Sequence, residues 1–131
     1  MNTRVFDDEG VKRFRKTQVS SYITIRTYVI PTLDEVRLYE DTVDHVKAEH
    51  PEIPAELPSL VDAAIIAISH PTHVENSYGG SVVFVDVTTT NASGDPLRVP
   101  VKRVSGTSGR ARTYYFASAN GVRDILWRRK P

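Results

Sequence analysis

Pro31-Thr32-Leu33-Asp34-Glu35-Val36-Arg37-Leu38-Tyr39-Glu40-Asp41-Thr42-Val43-Asp44-His45-Val46-Lys47-Ala48-Glu49-His50-Pro51 is the stretch on which the fold turns. Leu33, Val36, Tyr39, Val43, Val46 and His50 recur at helical spacing, acids occupy the other face, and Pro51 stops the run. The spacing predicts an amphipathic helix beginning at Leu33. Upstream, Ser20 to Ile30 is rich in β-branched and aromatic residues with partial alternation, which predicts a strand ended by Pro31. Residues 1–19 alternate charge and polarity without a clear period and read as an N-terminal arm or short helix, leaving 20–131 as a single domain.

Downstream, Ser59 is an N-cap candidate with Asp62 three residues on, an echo of a capping box. The following helix, Leu60 to Ile68, is apolar on most sides and should be the more buried of the two. After Gly80 the chain reads as sheet: strands at 81–90, 97–104 and 112–118 and a short fourth at 124–128. Ser105 to Arg110 reads as a flexible turn, with an anion-binding nest as a weaker reading. Pro100 cannot donate to a ladder, so its strand should lie at an edge or carry a bulge. The expected fold is α+β, with two helices packed on one face of an antiparallel sheet of about four strands.

At 131 residues, with 40% hydrophobic and 25% charged, the chain suits one globular domain and argues against disorder. No apolar run approaches the roughly 18 residues that a membrane span needs. Asp7, Asp8 and Glu9 stand where a secretory signal needs an apolar stretch, so the cytoplasm is the expected compartment. Without cysteine there is no disulfide, thiolate zinc site or cysteine nucleophile. Net charge is only +1, but its distribution is uneven: residues 33–62 carry two Lys/Arg against nine Asp/Glu, and residues 98–131 carry nine against one. A basic end of this kind points to a polyanion, or else to packing against the acidic middle.

His70 and His73 lack a third well-spaced ligand, and Pro71 between them breaks the helix, so no metal site is expected. His50 ends the acidic helix, whose negative end favours an imidazolium suited to acid–base work; simple capping is the alternative. The segment Arg110 to Ser118 interleaves cations with aromatics, a pattern able to bind phosphates and stack bases. Alternation there would place Thr113, Tyr115 and Ala117 on one face and Arg112, Tyr114, Phe116 and Ser118 on the other.

The order of these pieces adds to them. The helix-ending His50-Pro51-Glu52, the step His70-Pro71-Thr72-His73-Val74-Glu75, two strands and then Arg112-Thr113-Tyr114-Tyr115 resemble the phage-associated branch of the barnase–EndoU–colicin–RelE-like superfamily of RNases. The resemblance covers roughly residues 20–118. It implies a helical layer on a four-stranded antiparallel sheet with RNA in the sheet's concave face, and metal-independent cleavage of RNA, tRNA included, by attack of a ribose 2′-OH on the adjacent phosphate. It also implies no cofactor, and an inhibitor or antitoxin protein as a candidate partner of a toxin or phage effector. Carried onto this chain, His50 is the acid–base group, with His45 as its understudy, and Lys102 or Arg98 is the strand cation. Arg112 clamps phosphate, Thr113 and Tyr115 orient the scissile group, and Arg98, Arg103 and Arg110 contact RNA. A non-enzymatic module of that fold, binding protein or nucleic acid through the basic third, is the second reading. A phage structural or accessory protein is the third.

Overall fold

The computed structural model describes residues 21–51, 53, 59–118 and 124–130. The arm predicted for residues 1–19 lies outside them. Strand β1 (Tyr22–Ile30) turns at Pro31 and Thr32 into β2 (Leu33–Tyr39), and the two form an antiparallel hairpin. The helix expected from Leu33 is therefore a strand as far as Tyr39, and only then becomes helix α1 (Glu40–Glu49). The residues satisfy two periods at once. Leu33, Val36 and Tyr39 fit helical spacing, but Val36 and Leu38 also alternate with Glu35, Arg37 and Tyr39, and strand neighbours on both sides decide for period two. The second half of the stripe behaves as expected: Val43 and Val46 are fully buried and His50 caps the helix.

Helix α2 (Leu60–Ser69) starts at Ser59, whose Oγ accepts the Asp62 backbone N–H at 3.4 Å. The strands β3 (His73–Asn76), β4 (Val82–Thr90), β5 (Pro96–Ser105), β6 (Ser108–Ala111), β7 (Tyr115–Phe116) and β8 (Ile125–Arg128) follow. They join the hairpin in one sheet of order β1-β2-β6-β5-β4-β3-β8, with β7 beside β5. All pairings are antiparallel except β2 with β6.

This is one mixed sheet curled into a half-barrel, which replaces the expected four-stranded antiparallel sheet with two helices layered on one face. The curl has a visible cause in α2, which packs against β1, β4 and β5, strands far apart in the order; β1 and β8 at its two ends also approach each other. Leu60, Val61, Ala63, Ala64, Ala67 and Ile68 are buried, so α2 is apolar nearly all round because the sheet wraps it, as its sequence predicted. Each of its fully buried large aliphatic side chains contributes about 1.5–3 kcal/mol of transfer free energy. No helix among the described residues is long and apolar enough to cross a membrane.

Two local features shape the outer face. Gly109 is not part of a flexible turn or nest: it sits in β6, between β2 and β5. A Cβ there would meet Val101 Cγ1 at 2.7 Å and Leu33 Cδ1 at 3.0 Å, so glycine is required for close approach. Only Gly106, at φ +54°, serves the turn itself. Pro100 lies in an interior strand, not at an edge; that strand does carry an irregularity, its register with β6 shifting between Arg103 and Ser105, and the neighbour itself breaks beyond Ala111. The Pro100 carbonyl accepts the Arg112 N–H at 2.9 Å, but the proline has no N–H to return, and β6 ends at Ala111 while β7 resumes at Tyr115. The expected continuous strand 112–118 is interrupted. Tyr114 turns inward, is fully buried and donates to the Leu60 carbonyl at 2.6 Å, whereas Tyr115 stays half-buried opposite Arg98.

Candidate nucleic-acid interface

Residues opposite one another in a ladder share a face. The register Tyr22–Tyr39, Arg37–Arg110, Lys102–Arg110, Arg98–Tyr115, Val83–Pro100 and Glu75–Val83 therefore traces one continuous outer face across the sheet. The partners of opposite parity, among them Ile23–Leu38, Val36–Gly109, Val101–Ala111 and Val99–Phe84, fill the inner side with core around α2, so the concave face expected to hold RNA is occupied and only the outer face is open.

Along this outer face β5 carries Arg98, Pro100 and Lys102 in alternation, and a cleft opens at each end. The larger, about 550 Å³, is lined by Thr42, Lys102, Arg103, Val104, Arg110 and Arg112. Four of the expected site residues thus meet in one concavity. Lys102 and Arg112 are exposed and make no ion pair with a described residue. Arg110 contacts Asp41 at 3.2 Å in a pair whose side chains are 44% and 60% exposed, an arrangement worth about 0–1 kcal/mol. Arg103 is held back: its guanidinium donates to the Thr32 carbonyl and to Thr32 Oγ1, tying β5 to the β1–β2 turn.

The second cleft, about 300 Å³, is lined by Glu75, Ser77, Val83, Arg98, Pro100, Tyr115, Ala117 and Ser118. At its base Arg98 Nη1 donates to Glu75 Oε1 at 2.8 Å, and His73 Nε2 lies 2.9 Å from Glu75 Oε2. Arg98 Nε donates to the Ala117 carbonyl at 2.8 Å. Burial alone would push the Glu75 carboxyl up, but the hydrogen bonds from His73 and Arg98, with the Arg98 charge, outweigh it and hold it below the usual carboxylate value. Arg98 therefore spends its charge inside the protein.

The His50 ring lies 5.8 Å, centroid to centroid, from the Tyr115 ring and 6.3 Å from that of His45. Two of the expected catalytic residues, His50 and Tyr115, are brought together, and Tyr115 lines the second cleft. Thr113 behaves otherwise, because its Oγ1 is buried with no hydrogen-bond partner among the described residues. His70 contacts Ser69 Oγ through Nδ1 at 3.0 Å, and among the described residues no cluster of three His, Asp or Glu could hold a metal ion.

The sequence reading missed Tyr22, Arg37 and Tyr39, which lie on the same face, and the pairing of His73 with Glu75. The signal was the alternation of Glu35, Arg37 and Tyr39 against Val36 and Leu38. No family model, curated protein or solved structure matches this chain. Function therefore rests on the chemistry of the face itself.

Proposed function

We propose that the protein binds RNA, with the phosphate backbone running through the cleft of Lys102, Arg110 and Arg112. The observation that carries this reading is the concentration of four cations on one cleft, two of them without an ion-pair partner among the described residues, in a chain of net charge +1. Clustered positive charge along a concave wall raises the local potential and attracts anions, and phosphate binding gains further from the release of its counterions. Fluorescence anisotropy with a labelled single-stranded RNA tests it. The logarithm of affinity should fall with the logarithm of salt at a slope of about −0.7 per phosphate contact. Arg112→Ala should lower affinity. Arg129→Ala should lower it at most slightly, because the Arg129 guanidinium bonds the His70 carbonyl instead. Binding insensitive to salt, or equal losses from both variants, overturns the reading.

A second reading, cleavage of the bound RNA, is favoured by the contact of His50 with Tyr115. The 2′-oxygen attacks the adjacent phosphorus, the P–O5′ bond breaks and a 2′,3′-cyclic phosphate results. The 2′-proton must be taken up, a proton must be given to the leaving 5′-oxygen, and cations must offset the charge of the pentacoordinate state. In this scheme His50 takes the 2′-proton and returns it to the leaving 5′-oxygen, Tyr115 orients the imidazole, and Lys102 and Arg112 in the adjoining cleft hold the neighbouring phosphates of the strand. Thr113 has no place in it, its hydroxyl being buried. Incubation of the protein with total RNA and EDTA should give cleavage, and His50→Ala should slow it by about 10²–10⁴-fold. Intact RNA across pH 5–9 leaves binding as the function.

A further inference from the structure

The cationic cleft does not account for the tyrosines beside it. Tyr22 and Tyr39, opposite each other on β1 and β2, have ring centroids 5.0 Å apart with 45° between their planes. The Arg37 guanidinium lies 4.5 Å from the Tyr22 centroid and that of Arg110 lies 4.2 Å from the Tyr39 centroid. Arg37 also donates to the Tyr39 hydroxyl at 3.4 Å. Register continues the series: Arg37 is opposite Arg110 and Arg110 is opposite Lys102. Aromatic and guanidinium planes thus alternate from the sheet edge to the phosphate cleft. Against this series lies a third concavity of about 140 Å³, lined chiefly by Arg37, Tyr39, Val104, Ser105, Ser108 and Arg110. It shares Val104 and Arg110 with the large cleft, so the two meet at a common wall.

We infer that this small cleft is a base pocket, and that the RNA it serves is single-stranded, with one unstacked base lying beside Tyr39 while its neighbouring phosphates follow Arg110 and Lys102. The inference rests on the RNA-binding reading above and names its substrate class. Size is the first reason: at about 140 Å³ this concavity is less than half the volume of either other cleft, which suits one flat base and not a base pair. Chemistry is the second. Tyrosine and arginine planes receive bases of any identity by stacking, and the Ser105 hydroxyl at the rim offers a donor and an acceptor to a base edge. Geometry is the third. A duplex keeps its bases stacked inside and offers side chains mainly phosphate and 2′-hydroxyl, which would leave this pocket idle.

The test compares a single-stranded RNA 12-mer, carrying one 2-aminopurine, with the blunt duplex of the same sequence. The single strand should bind more tightly, and stacking should quench the 2-aminopurine on binding. Tyr39→Ala should weaken single-strand binding by about 5- to 150-fold, the range for loss of one stacked base, and abolish the quench. Tyr39→Phe, which keeps the ring, should retain both. Tyr39 adjoins α1, so Ser105→Trp provides an independent variant: it fills the pocket from an exposed position and should remove the quench while the salt slope persists. Equal affinity for single strand and duplex, or a quench that survives both Tyr39→Ala and Ser105→Trp, overturns the inference and leaves the cationic cleft standing. Failure of both RNAs to bind overturns the cleft reading and this one with it.

Discussion

Arg98 and Lys102 stand four residues apart on the same face of β5, and their charges meet opposite fates. Arg98 is 7% exposed, bonded to Glu75 and to a backbone carbonyl, while Lys102 is exposed at the wall of a cleft with Arg110 and Arg112 around it. The difference comes from the strands flanking β5 on its two sides. At the Arg98 end β4 and β3 bring Glu75 and His73 onto the face; at the Lys102 end β6 brings Arg110. A cation on a sheet is thus structural or available according to its cross-strand neighbours, and its own sequence surroundings hardly enter.

The sharpest way to break the comparison is Glu75→Ala, which strands the buried Arg98 charge and should cost about 3–5 kcal/mol in urea unfolding. The pair also has a pH signature. The Glu75 carboxyl is held below its ordinary value, so the folded state takes up that proton less readily than the unfolded chain. Its stabilisation is full above the usual carboxylate range, about 4.3, and is lost as pH falls through the depressed value. The stability gap between wild type and Glu75→Gln should therefore narrow in acid; a constant gap would mean that Glu75 acts through packing. Lys102→Ala should do the reverse, with unfolding unchanged within about 0.5 kcal/mol and the salt slope of RNA binding reduced by about 0.7. The smallest effect belongs to Asp41→Asn. Releasing Arg110 from an exposed pair should shift stability by less than about 1 kcal/mol and raise RNA affinity slightly, measured by the same two methods.

Local signals carried the elements whose partners are near in sequence. Ser59 and the apolar run after it announce α2, and Ser81 to Thr90 reads as a strand because only one period fits it. Leu33 to Tyr39 fits two periods, and the strand that settles the matter, β6, is contributed by Ser108–Ala111. The same gap hid part of the site. Read as helix, Tyr39 falls on the buried stripe; as strand, it joins Arg37 and Arg110 on the outer face. Lys102, Arg103, Arg110 and Arg112 were legible as a group because density of charge survives an error of fold. Arg98 was not separable from them, since nothing near it in sequence announces Glu75. The broken strand opposite Pro100 was half legible: proline forbids the bond, but which strand yields depends on the neighbour.

The parallel pairing of β2 with β6 joins residues such as Glu35 and Ser108, 73 positions apart, and this sets a schedule for folding. The first hairpin can close quickly, since only a short turn separates its strands. Its open edge then has no partner until residue 110 or so has left the ribosome, and the loop that must close is long. During that interval β2 offers bare backbone donors and acceptors beside Val36 and Leu38, a template for another chain's strand. Folding should therefore be slow for a domain of this size, and fragments that stop short of β6 should aggregate.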